Sequence, residues 1–134
     1  MSFAGCKSQV EAMARILAVD DSASIRAMVA MTLRGAGHEV MMACDGLTAL
    51  ELAKQSWDLA LADVNMPNMD GITLIRELRA RPEGRFMPIL MLTTETSVER
   101  KRAGREAGAT GWVVKPFDPD QLVATIERVI GLAP

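Results

Sequence analysis

Four places in this 134-residue chain hold side chains that could do chemistry, each at the end of a short apolar run. Asp20 and Asp21 follow Ile-Leu-Ala-Val, Asp63 follows Leu-Ala-Leu-Ala, Thr93 follows Ile-Leu-Met-Leu, and Lys115 follows Gly-Trp-Val-Val. One strand-end Asp alone is more often a turn or cap residue, and Asp20-Asp21 alone reads equally as acids at a helix N-terminus. Together they mean something else. Carboxylates in one crevice repel by roughly 3 kcal/mol per pair at about 5 Å and an effective dielectric near 20, so they bind protons or a cation. Oxygen ligands without His or Cys favour Mg²⁺. A carboxylate is a competent nucleophile toward phosphorus, a metal neutralises charge on the transferred group, and Lys115 is a mobile cation suited to a phosphate oxygen. Thr93 adds a hydroxyl donor. The chemistry these residues point to is phosphoryl transfer to Asp63. No Gly-rich phosphate loop is present, so the expected donor is a small phosphoryl compound or a phosphorylated protein rather than a nucleotide.

The elements that must position these residues alternate along the chain. Apolar strands are expected at 15–19, 39–44, 58–62, 88–92 and 111–114. Ser22 or Ser24 can cap a first helix with Ile25, Met28, Val29 and Leu33 on one face, ended by Gly35 and Gly37. Asp45-Gly46 turns into a short second helix marked by Leu47, Leu50 and Ala53. Ile72, Leu74, Ile75 and Leu78 give a third, stopped by Pro82 and Gly84. Residues 97–107 read as a weak fourth helix, with Arg100, Lys101, Arg102 and Arg105, few apolar anchors, and Gly104 costing about 1 kcal/mol of propensity. Asp118 caps a fifth, with Leu122, Val123, Ile126, Val129 and Ile130 inward. Strands this apolar are expected to be buried on both faces, as in a helix-covered parallel sheet. The expected fold is a doubly wound α/β domain with a five-stranded parallel sheet and five helices, flavodoxin-like. The order expected is 2-1-3-4-5, a choice among topologies that the pattern alone does not fix, and its topological switch between strands one and three sets Asp20, Asp21 and Asp63 side by side.

Bulk numbers narrow the class. The length suits one domain, with 1–12 as a flexible extension and 13–134 as the folded unit. A net charge of −2 gives no electrostatic case for nucleic acid, and no apolar run approaches a membrane span. No secretory leader is evident, and two cysteines are too few for a disulfide framework or zinc site, so a reduced, cytoplasmic setting is expected. Cys44, ending an apolar run, is expected to be a buried small hydrophobe.

In combination, Val-Asp-Asp-Ser, Asp-Val-Asn-Met-Pro-Asn-Met-Asp-Gly, Met-Leu-Thr-Thr-Glu and Gly-Ala-Thr-Gly-Trp-Val-Val-Lys-Pro-Phe resemble the motifs of response-regulator receiver domains of the CheY-like chemotaxis type, over about residues 13–132. The resemblance implies that Asp63 is the phosphorylated aspartate. It implies that Asp21, Asp63 and the backbone carbonyl of Asn65 bind Mg²⁺ directly, with Asp20 acting through water. Thr93 would be the switch hydroxyl, Lys115 its phosphoryl-pairing lysine with a cis bond to Pro116, and Trp112 the switch aromatic that turns inward when Thr93 moves. Asn65 and Glu95 would tune phosphate lifetime by positioning water, and Thr94 would slow access of a donor or phosphatase. Trp57 is left as a packing residue. The implied function is a stand-alone receiver, not an enzyme with a separate substrate, that catalyses its own phosphorylation and dephosphorylation. Its implied partners are a CheA-like histidine kinase, the flagellar switch protein FliM or another protein target, and a phosphatase, with the protein itself a monomer. Output would then be a phosphorylation-dependent contact. A phosphate sink or relay receiver without motor binding is the alternative. A metal-dependent small-molecule phosphatase would want a second acid two residues after its nucleophile, where Asn65 stands. Arg100-Lys101-Arg102 departs from the family, since motor-binding relatives carry an apolar residue there; such a run reads as a solvated face or as a match for a more acidic partner.

Overall fold

The structure is a computed structural model and describes residues 14–66, 69–94 and 98–131. Five parallel strands form one sheet: β1 (Arg15–Val19), β2 (Glu39–Ala43), β3 (Leu59–Asp63), β4 (Ile89–Thr93) and β5 (Gly111–Val114). Their order is β2-β1-β3-β4-β5, as expected. Between and after them come α1 (Ala23–Gly35), α2 (Gly46–Leu52), α3 (Gly71–Ala80), α4 (Val98–Ala107) and α5 (Pro119–Ile130), with a short 3₁₀ turn at Pro82–Gly84.

Alternation along each strand makes two cores. Leu17, Val19, Ala60, Ala62, Ile89 and Met91 face α2, α3 and α4 through Ala49, Leu74, Ile75, Leu78 and Ala107. Ile16, Ala18, Leu59, Leu61, Leu90 and Leu92 face the opposite way, against Val29 and Leu33 of α1 and Leu122 and Ile126 of α5. Central strands β3 and β4 are buried along their whole length. The edge strands are not. Met41 of β2 and Val114 of β5 are exposed, because an edge strand reaches past the helices that cover its neighbours.

Other expectations fail for related reasons. Cys44 lies just beyond the last residue of β2 and is exposed, not buried. Met28 is 44% exposed, and Ala30 takes its place in the core. The buried stripe of α1 leans to the other side of Val29 and Leu33. Leu47 is 60% exposed, since α2 packs through Gly46 and Ala49 instead. Trp57 packs as expected, buried and donating its indole N–H to the Leu52 carbonyl at 2.8 Å.

Short polar side chains cap four of the helices, one Ser and three Asp. Ser22 Oγ caps α1, accepting from the Ile25 N–H, while Asp45, Asp70 and Asp118 cap α2, α3 and α5. Gly104 is explained by close approach: a Cβ there would lie 2.1 Å from Met91 Sδ, so the helix-weakening glycine lets α4 settle onto β4.

Candidate functional site

The strand order places the chemistry. β1 and β3 are neighbours in register Val19↔Ala62, so Asp20 and Asp63 emerge together at the carboxyl edge. β4 pairs β3 with Asp63↔Leu92, and β5 pairs β4 with Thr93↔Val114, which brings Thr93 and then Lys115 to the same edge. Lys115 is anchored there by its own N–H to the Thr93 carbonyl at 2.8 Å. The Lys115–Pro116 bond is cis, as the resemblance implied. Local turns orient the acids. Asp20 Oδ1 accepts from the Ser22 N–H at 2.9 Å, and Arg26 holds the Asp20 carbonyl at 2.8 Å. Asp63 Oδ1 accepts from the Asn65 N–H at 3.3 Å. Gly71 is required below it, because a Cβ would sit 2.2 Å from the Asp63 carbonyl oxygen and 2.7 Å from Val64 Cα. Only glycine lets α3 start directly beneath the end of β3.

Asp20, Asp21 and Asp63 each offer a carboxylate oxygen, and these oxygens lie within 4.8 Å of one another. Asp20 and Asp63 are buried and Asp21 is exposed, so the cluster opens to solvent on one side. Lys115 Nζ sits 3.1 Å from Asp63 Oδ1 and 3.1 Å from Asp20 Oδ2. Burial would lower the Lys115 ammonium, but its close contacts with the Asp20 and Asp63 carboxylates and their charges outweigh that and raise it. Asp63 goes the other way from an ordinary carboxylate. Burial first, and the Asp20 charge second, push it up to about 6, against the lowering pull of Lys115 and the Asn65 N–H. Its Oδ2 has no hydrogen-bond partner, and Asp20 Oδ2 meets Lys115 outside hydrogen-bond geometry.

These observations fit Mg²⁺. The donor set is all oxygen, it is too negative for its burial, and two buried carboxylate oxygens keep lone pairs for an ion. One ammonium only partly neutralises three acids.

Thr93 is buried at the end of β4. Trp112 is half-buried on β5 opposite Met91. Glu95 lies outside the described residues. Thr94 is exposed beside the site.

The basic run on α4 is where sequence reading fell short. It is not simply a solvated face. Arg100 Nη2 donates to Asn65 Oδ1 at 3.2 Å, across 35 positions of chain. Lys101 Nζ lies 4.7 Å over the Trp112 ring and the Arg105 guanidinium 5.6 Å from it. A signal for this existed. Arg100 and Lys101 stand in or next to the first turn of α4, where the helix dipole disfavours cations, so partners elsewhere were to be sought.

Comparison with known proteins agrees with this geometry. The family model described as the response regulator receiver domain matches residues 16–127. This chain belongs to the response-regulator receiver family. It is 38% identical over 117 residues to the chemotaxis protein CheY-3 of Vibrio cholerae, covering 86% of this chain and 90% of that protein. It is 40% identical over 117 residues to the response regulator MprA of Mycobacterium leprae, covering 87% of this chain but spanning only 50% of that longer relative. Among solved structures, Vibrio cholerae CheY4 superposes with a TM-score of 0.85 at 54% identity, over 88% of this chain and 99% of that one. The receiver domain of the Pseudomonas aeruginosa sensor histidine kinase PA1611, with magnesium in its active-site cleft, superposes with a TM-score of 0.83 at 32% identity, over 88% of this chain and 98% of that one.

Proposed function

We propose that this chain is a receiver phosphorylated on Asp63 by a CheA-like histidine kinase in an Mg²⁺-dependent reaction, and that the modification switches a protein-binding face in chemotaxis signalling. The observation that carries the proposal is the asymmetry of the Asp63 carboxylate: Oδ1 is held by Lys115 and the Asn65 N–H, while Oδ2 has no hydrogen-bond partner. A buried carboxylate fixed by one oxygen presents the other in a defined direction.

Asp21, Asp63 and the Asn65 carbonyl would hold the ion, with Asp20 beside them. When bound, Mg²⁺ would neutralise charge on the phosphoryl oxygens. A carboxylate oxygen of Asp63 forms the bond to phosphorus, and the donor's leaving group departs with the electron pair of the bond that breaks. Lys115, already between Asp20 and Asp63, needs only to exchange one carboxylate for a phosphoryl oxygen. The Thr93 hydroxyl, one strand over, is the donor for another. Because β5 carries Trp112, leads directly into Lys115 and pairs with the strand that ends at Thr93, rearrangement at the edge reaches Trp112 through one strand.

Labelling by acetyl phosphate with Mg²⁺ tests this. The label should be acid-stable and base-labile, and absent from Asp63→Asn. A label retained by that variant would refute the assignment of the nucleophile.

A second reading, a phosphate sink or relay receiver without motor binding, is favoured by one observation. Lys101 and Arg105 stack on Trp112, and Lys101 belongs to the run where the family resemblance implies an apolar residue in a motor-binding receiver. Binding to the N-terminal peptide of FliM, with and without beryllofluoride and Mg²⁺, separates the two. Tight binding only in the activated state supports motor output, and no binding in either state supports the sink.

A further inference from the structure

We infer that Arg100 is a positioning residue that prolongs the phosphorylated state by holding the carbonyl oxygen of the Asn65 side chain. The inference rests on the reading of Asp63 as the phosphoacceptor. Asn65 stands two residues beyond Asp63, with its backbone N–H on Asp63 Oδ1, so its side chain borders the approach to phosphorus. Arg100 Nη2 lies 3.2 Å from Asn65 Oδ1. A guanidinium only donates, so this contact fixes which way the amide points: oxygen to Arg100, NH₂ away from it.

Hydrolysis of the acyl phosphate needs a water whose oxygen forms the bond to phosphorus. The bond from phosphorus to the Asp63 oxygen then breaks, the carboxylate leaves with the electron pair, and the water's protons pass to phosphate and solvent. An amide oxygen that accepts a proton of that water makes its oxygen a better nucleophile. An NH₂ that donates to the water makes it a poorer one. With Asn65 Oδ1 engaged by a cation, the side chain offers mainly its donor, and attack slows. Arg100 also sits in the first turn of α4, where a cation opposes the helix dipole. Its contact with Asn65, on a different element, is what a local helix preference does not supply.

The test is decay of the label after ³²P-acetyl phosphate is removed, in Mg²⁺ buffer. Arg100→Ala, and Arg100→Met, which keeps the packed stem, should lose label about three- to tenfold faster than wild type, the scale of one hydrogen bond. Arg100→Lys should be intermediate. Arg102→Ala, an exposed neighbour in the same run, should decay as wild type. In an Asn65→Ala background, adding Arg100→Ala should change nothing, an outcome that a purely structural role for Arg100 would not give. Decay of both Arg100 variants at or below the wild-type rate, or an Arg100 effect that persists without Asn65, overturns the inference. A wild-type protein that takes no label, or an Asp63→Asn variant that does, overturns the site reading itself and the inference with it.

Discussion

Replacing Asp63 by Asn should stabilise the metal-free protein, although it abolishes the proposed chemistry. Asp63 is raised from 3.8 to about 6, chiefly by burial and then by Asp20. The folded state therefore binds more protons than the unfolded chain between about pH 4 and pH 6, and stability falls as pH rises through that window. Above it the charged carboxylate costs about 3 kcal/mol, from roughly two pKa units at 1.36 kcal/mol each. Asn removes that charge. It keeps an acceptor for the Asn65 N–H and Lys115, and places an NH₂ where Oδ2 has no partner, near the Asp20 and Asp21 oxygens. The raised value already nets the favourable bonds of the charged form to Lys115 and the Asn65 N–H, so Asn, a neutral stand-in for the protonated acid, should gain up to about 3 kcal/mol at pH 7.5 in EDTA. Urea unfolding followed by tryptophan fluorescence measures it. The difference between variant and wild type should shrink as pH falls from 7 to 4, and saturating Mg²⁺ should favour wild type by mass action. A variant less stable than wild type in EDTA at pH 7.5, or wild type gaining on it from pH 5 to 7, would show that the Asp63 charge does not destabilise the metal-free fold.

Further outcomes can be checked on the same preparation. Lys115→Ala should bind Mg²⁺ at least as tightly as wild type, because it removes a cation that competes for Asp20 and Asp63, yet lose the phosphorylation-dependent change in Trp112 fluorescence; a full change in that variant would exclude Lys115 from the coupling. Gly71→Ala should cost about 2–3 kcal/mol in urea unfolding, since the new methyl meets the backbone of Asp63 and Val64, which cannot rotate aside. Lys101→Ala should free the Trp112 ring at a stability cost of about 0.5–1 kcal/mol, read as lower fluorescence anisotropy in a Trp57→Phe background.

Much of the fold and site was legible in the sequence. The apolar runs had strand length, acids and a Ser stood where helices begin, and each run stopped at the residue that forms the site. Strand boundaries differ from expectation by a residue at most at their ends, as with β3, which includes Asp63. These are local properties: an unpaired backbone turn or a capped helix is specified by neighbours in the chain. The strand order is a choice among topologies that the apolar pattern does not fix, and the sheet bears that choice out.

What the tertiary structure alone decided is how far side chains reach and which apolar residues find a partner. Periodicity marks Met28, Leu47 and Cys44 as able to be buried; only the extent of the covering layers leaves them exposed. The repulsion among Asp20, Asp21 and Asp63 follows from their types, but its partial relief by Lys115 at 3.1 Å from two of them depends on β5 lying two strands from β3. The basic residues of α4 look like a solvated face because a charge run says nothing about distance through space. Docked on β4 through Gly104, the helix sets Arg100 on Asn65 and Lys101 on Trp112. A short-range code can name the reacting groups, whereas contacts between residues distant in the chain exist only once the packed layers fix their separation.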